Sequence, residues 1–272
     1  MQIGKVTVET TATRQELFMA LIWGKPACGK TVLASTSMGK KLWLQFDPAG
    51  TASLARNDNI LVADFSSTKS AQLADFKQGS SVERDLAKIL AEDKDIKTVV
   101  VDSLTTFGQL ALNYGIATGK ANVGKFVASV EAPGITGYGI RTAMMLDCAS
   151  MVQRICIDAG VHCIFICHES VSRNEKGVID EITINLGGQM SNIMPARISE
   201  IWHMEDTGRE RILYFRNHGV KAPMRSRMFV GAGTQTSFKW NYDQATNTGP
   251  GIADWFNEWR AAGFNKVPAP NG

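Results

Sequence analysis

The sequence predicts an α/β fold: a core with a mostly parallel central sheet, flanking helices and a C-terminal antiparallel extension. Three observations carry this expectation. Short apolar runs rich in branched residues alternate with helical stretches, the pattern of strands joined by crossover helices. The runs are hydrophobic almost without interruption, as strands buried on both faces are. The first of them, "LFMALIW" (17–23), leads straight into "GKPACGKT" (24–31), whose glycine spacing suits a phosphate-binding turn between a strand and a helix.

Along the chain, "KTVLASTSMG" (30–39) reads as the helix after that turn, and "KLWLQFD" (41–47) and "NILVADF" (59–65) as strands. In the helical stretch "SVERDLAKILAEDK" (81–94), Leu86, Ile89 and Leu90 share a face with charges opposite. "KTVVVDS" (97–103) is a strand ending in a carboxylate, and "GIRTAMMLDCASMVQRICIDAG" (139–160) is a long helix. The fifth strand is "HCIFICH" (162–168), on which Cys163 and Cys167, four apart, face one side of the sheet. Two stretches interrupt the alternation: residues 113–139, rich in glycine, and residues 169–192, largely polar. Both read as long loops of the kind that carry function. "ISEIWHMED" (198–206) and "RILYFRNHG" (211–219) are then strands of a hairpin across "DTGR". "IADWFNEWRAAG" (252–263) is a short amphipathic helix whose Trp255, Phe256 and Trp259 pack on the core, and the Pro/Gly tail behind it is expected to be mobile. The chain divides into an N-terminal extension (1–16), a core (17–232) and a C-terminal segment (233–272).

Composition narrows the class. A hydrophobic fraction of 44% with 20% charged residues suits a globular protein with a sizeable core. The net charge of +3 is too mild to argue for nucleic acid by itself, so a DNA contact has to be local. No apolar stretch approaches the roughly 20 residues that span a bilayer, and the polar N-terminus has no signal-peptide core, so no membrane partner is expected. The five cysteines form no CxxC pair and no zinc spacing, which points to a reduced, cytoplasmic compartment.

The chemistry concentrates in residues 24–32. Gly24 and Gly29 let main-chain N–H groups turn inward, so that Gly24, Lys25, Pro26, Ala27, Cys28, Gly29, Lys30, Thr31 and Val32 together surround the phosphates of a nucleotide. Lys30 reaches the β- and γ-phosphates, and the Thr31 hydroxyl ligates Mg²⁺. Cys28 takes a free position of the pattern. The apolar run "TVVV" ending in Asp102 sets a magnesium-side carboxylate at the carboxyl end of a strand, where ligands gather in open α/β sheets. ATP and Mg²⁺ are the expected cofactors.

With "GKPACGKT", "VVVDS" and "FRNHGVKAP" in place, the chain resembles the RecA-type branch of P-loop ATPases over roughly residues 15 to 230. The segments "FDPAGT", "IFICHES" and "LGGQMSNIMPARISEIWHM" make it similar in particular to the small phage RecA-core proteins of the Sak group, which assist single-strand annealing and recombination. The resemblance implies that His168 is a sensor of the γ-phosphate. It also implies that Arg216, with His218 or Lys221, reaches the ATP site of a neighbouring subunit in a ring or filament. In the family a water-activating glutamate follows the second strand. Here Ala49 stands in its place, a loss worth about 10²–10⁴-fold in rate unless another carboxylate substitutes. Asp47 and Glu169 are the candidates; Asp47 equally suits a strand-end residue opening the "DPAG" turn.

The resemblance also implies that the two long loops grip single-stranded DNA. Lys120 and Lys125 in the first, and Arg173 and Lys176 in the second, are the phosphate contacts it suggests. Tyr114, Phe126 and Tyr138 offer stacking faces, and Arg225 and Arg227 a basic rim. Glu175, Asp180 and Glu181 in the second loop oppose phosphate binding. The expected function is thus a DNA-dependent recombination ATPase, aided by a single-strand binding or annealing protein. The alternative is an ATP-binding accessory protein with little turnover, such as a helicase loader.

Overall fold

The computed structural model describes residues 2–3, 6–7, 10, 15–48, 50–54, 57–67, 70–120 and 128–270. Ala49, Lys125 and Phe126 therefore lie outside the described residues. A central sheet is built from β1 (Met19–Gly24), β2 (Lys40–Gln45), β3 (Ile60–Asp64), β4 (Ile96–Asp102), β5 (His162–Arg173), β6 (Ile179–Ile184), β7 (Glu200–Asp206), β8 (Arg211–Tyr214) and β10 (Ser237–Lys239). The strand order is β10-β8-β7-β1-β5-β4-β2-β3, with β6 paired to the far end of β5. Pairings from β7 through β1, β5, β4 and β2 to β3 are parallel; β7–β8, β8–β10 and β5–β6 are antiparallel.

The unbroken apolar character of the strands has a direct structural cause. Side chains alternate across a pleated strand, and both faces of β1, β2, β4 and β5 are covered, while β3, at the sheet edge, leaves Leu61 and Val62 exposed against expectation. Leu21 and Trp23 of β1, Val99 and Val101 of β4, and Cys163, Phe165 and Cys167 of β5 face one core. There they meet α2 (Ser81–Glu92), α3 (Leu104–Ala117) and α4 (Gly134–Ala159). Ala20, Ile22, Val100, Ile164 and Ile166 face the other, covered by α1 (Lys30–Ser35) and α6 (Ile252–Ala261). Trp255, Phe256 and Trp259 of α6 are all buried in this second core, and the Trp255 ring meets Phe238 edge-on at 5.3 Å.

Several expectations need correction. In α2, Leu86 and Leu90 are buried but Ile89 lies at the edge of the apolar stripe, 37% exposed. The glycine-rich stretch 113–139 is not one loop: Asn113 to Ala117 close α3 and Gly134 opens α4. Gly115 in this stretch, like Gly108 just before it, serves helix packing. A Cβ on Gly115 would press on Ile140, and one on Gly108 would strike Met145, so these positions let α3 and α4 approach. The polar stretch 169–192 is likewise ordered. β5 continues to Arg173 and folds back through β6 as an antiparallel hairpin, followed by the short helix α5 (Met190–Arg197). The tail expected to be mobile is docked as far as residue 270. Val267 and Pro268 (β11) pair in parallel with Phe229 and Val230 (β9), and Gln235 Nε2 donates to the Pro270 carbonyl at 3.1 Å. Among the described residues, no helix is long and apolar enough to cross a membrane.

Candidate functional site

β1, β4 and β5 run parallel, so their carboxyl ends come together on one edge of the sheet. The turn after β1 requires glycine. Gly24 has φ 152°, and a Cβ there would run into the Met204 carbonyl of β7. Gly29 has φ 102°, a left-handed value that L residues rarely take. Between these glycines the backbone wraps over a cleft of about 460 Å³. Pro26, Ala27, Gly29, Lys30, Thr31 and Val32 line it from the turn; Asp47, Asp102 and His168 line it from the strand ends.

Lys30 is buried, its Nζ donating to the carbonyls of Gly24 at 3.0 Å and Lys25 at 2.5 Å, with Cys28 Sγ at 3.9 Å. Cys28 itself turns into the α1 core, and burial pushes its thiol up rather than toward the thiolate. Thr31 Oγ1 donates to Asp102 Oδ2 at 3.1 Å, and Trp43 Nε1 donates to the same oxygen at 3.2 Å. Burial first, and the nearby Asp47 carboxylate second, push Asp102 up to about 6 against the hydrogen bonds and Lys30 that favour its charge. A buried carboxylate so poorly compensated is a site that a cation would stabilise.

Asp47 sits beside it under different control. Burial raises its pKa, but hydrogen bonds from His168, Thr106 and Ser103 outweigh that and hold it below the usual carboxylate range. Ser103 Oγ donates to Asp47 Oδ1 at 2.9 Å, and His168 Nε2 lies 3.2 Å from Oδ2. His168 Nδ1 is buried without a hydrogen-bond partner among the described residues. Glu169, the other candidate for water activation, is turned into the core against His203 Nε2 at 3.0 Å and does not line the cleft. Among the described residues no cluster of three or more His, Cys, Asp or Glu side chains is arranged to hold a metal. Thr31 and Asp102 instead fit the sparse protein share of a magnesium shell completed by phosphate oxygens and water.

The remaining predicted residues lie elsewhere. Arg216 follows β8, half-buried, its guanidinium 5.8 Å from the Phe215 ring centroid. Lys221 is engaged within the chain, with Nζ 2.6 Å from Glu205 Oε2 and 4.3 Å from the Tyr214 ring centroid. The exposed His218 places Nδ1 3.0 Å from Thr236 Oγ1. None of the three lines the cleft. Lys120 lies over Tyr114, 5.2 Å from its ring centroid. Arg173 and Lys176 are exposed at the tip of the β5–β6 hairpin, where Arg173 Nη1 donates to the Gly177 carbonyl at 2.9 Å. Tyr138 is exposed on α4 beside Arg141. Arg225 is no part of a basic rim: its guanidinium is spent on the Pro195 and Ile198 carbonyls that end α5. Arg227 lies 5.5 Å from the Trp259 ring centroid. Sequence reading missed Arg211, which lines the cleft together with Gln244. Its position follows from topology: β8 runs back against β7, so the start of β8 falls at the phosphate end.

This sheet and this cleft define a P-loop nucleotide-binding fold. The family model described as an AAA domain matches residues 18–222, and the chain belongs to that family. Among solved structures, the RadB recombinase is similar at 12% identity, over 84% of this chain and 88% of that one, with a TM-score of 0.45. No curated protein matches the sequence.

Proposed function

We propose that this protein couples ATP hydrolysis to assembly on single-stranded DNA, promoting annealing and homologous recombination in the manner of the phage Sak-group proteins. The observation that supports the reading most is the convergence of Lys30, Thr31, Asp47, Asp102 and His168 in one cleft at the strand ends. Lys30 and the main-chain N–H groups of the turn bind the phosphates; Thr31 and Asp102 hold Mg²⁺, which when bound neutralises charge on the transferring phosphoryl group. Asp47, kept ionised by its three hydrogen bonds, orients the attacking water more than it removes its proton. His168 stands between that carboxylate and the strand leading to the exposed hairpin, so the phosphate site and the Arg173–Lys176 tip share one strand. Contacts of Lys120, Lys125, Arg173 and Lys176 with DNA phosphates, trans contacts of Arg216, His218 and Lys221, and a host-cell cytoplasmic setting belong to this proposal. So does the division into a core at 17–232 and a C-terminal segment at 233–272.

The test is ATP turnover with and without single-stranded DNA, together with electron microscopy in the presence of a non-hydrolysable ATP analogue. Strong stimulation and rings or filaments on DNA are expected. Tight ATP binding with negligible turnover would instead establish the accessory reading, which Ala49 at the place of the family's glutamate favours.

A further inference from the structure

Arg211 is the first residue of β8, in register with Asp206 at the end of β7. Its side chain reaches over the phosphate turn from outside. A Cβ built on Gly29 would lie 3.1 Å from Arg211 Nε and 3.3 Å from Cζ, so the guanidinium stands directly against the glycine that precedes Lys30. In a turn of this kind the N–H groups around that glycine cradle the α- and β-phosphates. Arg211 also lines the cleft shared by Lys30, Thr31, Asp102 and His168. Among the described residues its one ionic neighbour is Asp206, with Oδ2 3.6 Å from Nε, which is beyond hydrogen-bond reach. Its Cζ lies 5.9 Å from the Trp240 ring centroid, so the guanidinium also neighbours an aromatic face.

A guanidinium keeps its charge at all working pH values and offers forked N–H donors that match phosphate oxygens. The geometry points to Arg211 as a phosphate-binding cation acting in cis: it donates to the nucleotide held by its own chain's turn. This inference rests on the ATP reading above and deepens it. Each chain then carries two cations on its phosphates, Lys30 from inside the turn and Arg211 from across it, before any neighbouring subunit contributes. Asp206 pairs with the guanidinium at 3.6 Å, a separation that leaves its N–H groups free to donate to a phosphate.

Calorimetric titration with ATP and with ADP tests this, comparing the natural protein with Lys30→Ala, Arg211→Ala, Arg211→Gln and Arg211→Lys, each checked for an unchanged thermal midpoint. Loss of one charge-assisted bond predicts affinity for both nucleotides weakened about tenfold or more in Arg211→Ala and Arg211→Gln, with partial recovery in Arg211→Lys. If Lys30→Ala loses binding while both uncharged Arg211 variants stay within about twofold of the natural protein, the inference fails and the ATP reading stands. If Lys30→Ala binds as the natural protein does, both fail. An equimolar mixture of Lys30→Ala and Arg211→Ala chains decides cis from trans. A cis residue predicts that the mixture binds no more tightly than its components, and the appearance of sites with natural affinity would overturn the assignment.

Discussion

Replacing Asp102 by Asn separates what this carboxylate does for function from what it costs the fold. Asp102 is 2% exposed, and its carboxyl group is pushed up from 3.8 to about 6, by burial first and by Asp47 second. Because the folded value lies above the unfolded one, the group's stabilising contribution is complete below about pH 3.8 and is lost as pH rises through about 6. At about 1.4 kcal/mol for each tenfold change in proton affinity, the ionised carboxylate costs about 3 kcal/mol at neutral pH. Asn keeps an oxygen to accept from Thr31 and Trp43 and carries no charge. Part of the gain goes to accommodating the new amide N–H groups, so the expected stabilisation is about 1–3 kcal/mol at pH 7.5, shrinking toward zero near pH 4. Urea denaturation of both proteins at several pH values, without nucleotide, measures the gap. A variant equal to or less stable than the natural protein at pH 7.5, or a gap that does not change with pH, refutes the reasoning. The same substitution should weaken magnesium-dependent ATP binding.

Three further outcomes are expected. Gly24→Ala forces a Cβ into the Met204 carbonyl at φ 152° and should destabilise the protein by more than about 3 kcal/mol, read from the urea midpoint; a midpoint near that of the natural protein would refute the packing described. Asp47→Asn should lower ATP turnover about a hundredfold or more while ATP affinity stays within about threefold, and unchanged turnover would remove Asp47 from water positioning. Trp255→Ala opens a cavity between α6 and the sheet, where the side chain is 2% exposed, and should cost about 3–5 kcal/mol in denaturant unfolding. A loss below about 1 kcal/mol would mean that α6 is not part of the cooperative fold.

Where burial dictated residue type, the elements were legible in the sequence. Four of the parallel strands it marks, β1, β2, β4 and β5, are near-continuous apolar runs because both of their faces are covered, whereas the equally apolar edge strand β3 leaves Leu61 and Val62 exposed; the phosphate turn announces itself because its backbone angles demand glycine. Where residues face water, or where glycine serves packing, legibility failed. The β5–β6 hairpin carries polar side chains on exposed strands, so it reads as a loop. Gly108 and Gly115 look like breaks in a helix but exist to let α4 approach α3. The convergence of Asp47, Asp102 and His168 followed from their places at strand ends, whereas Arg211 depended on an antiparallel return that only the three-dimensional register fixes.

β5 has 12 residues, about 40 Å at 3.3 Å per residue. From Cys163 to Ile166 it is clamped by β1 on one side and β4 on the other; from Glu169 onward its ladder partner is β6. Mechanically the hairpin is a cantilever whose free length begins beyond Val171 and Ile182, because Ile182 is also held by Val220 and Ala222 through backbone hydrogen bonds. Glu169 is bolted into the interior by His203, while His168 leans on the cleft. A load on the free tip is therefore shared between the β5–β6 ladder and the 220–222 segment before it reaches His168 and the carboxylate that it touches.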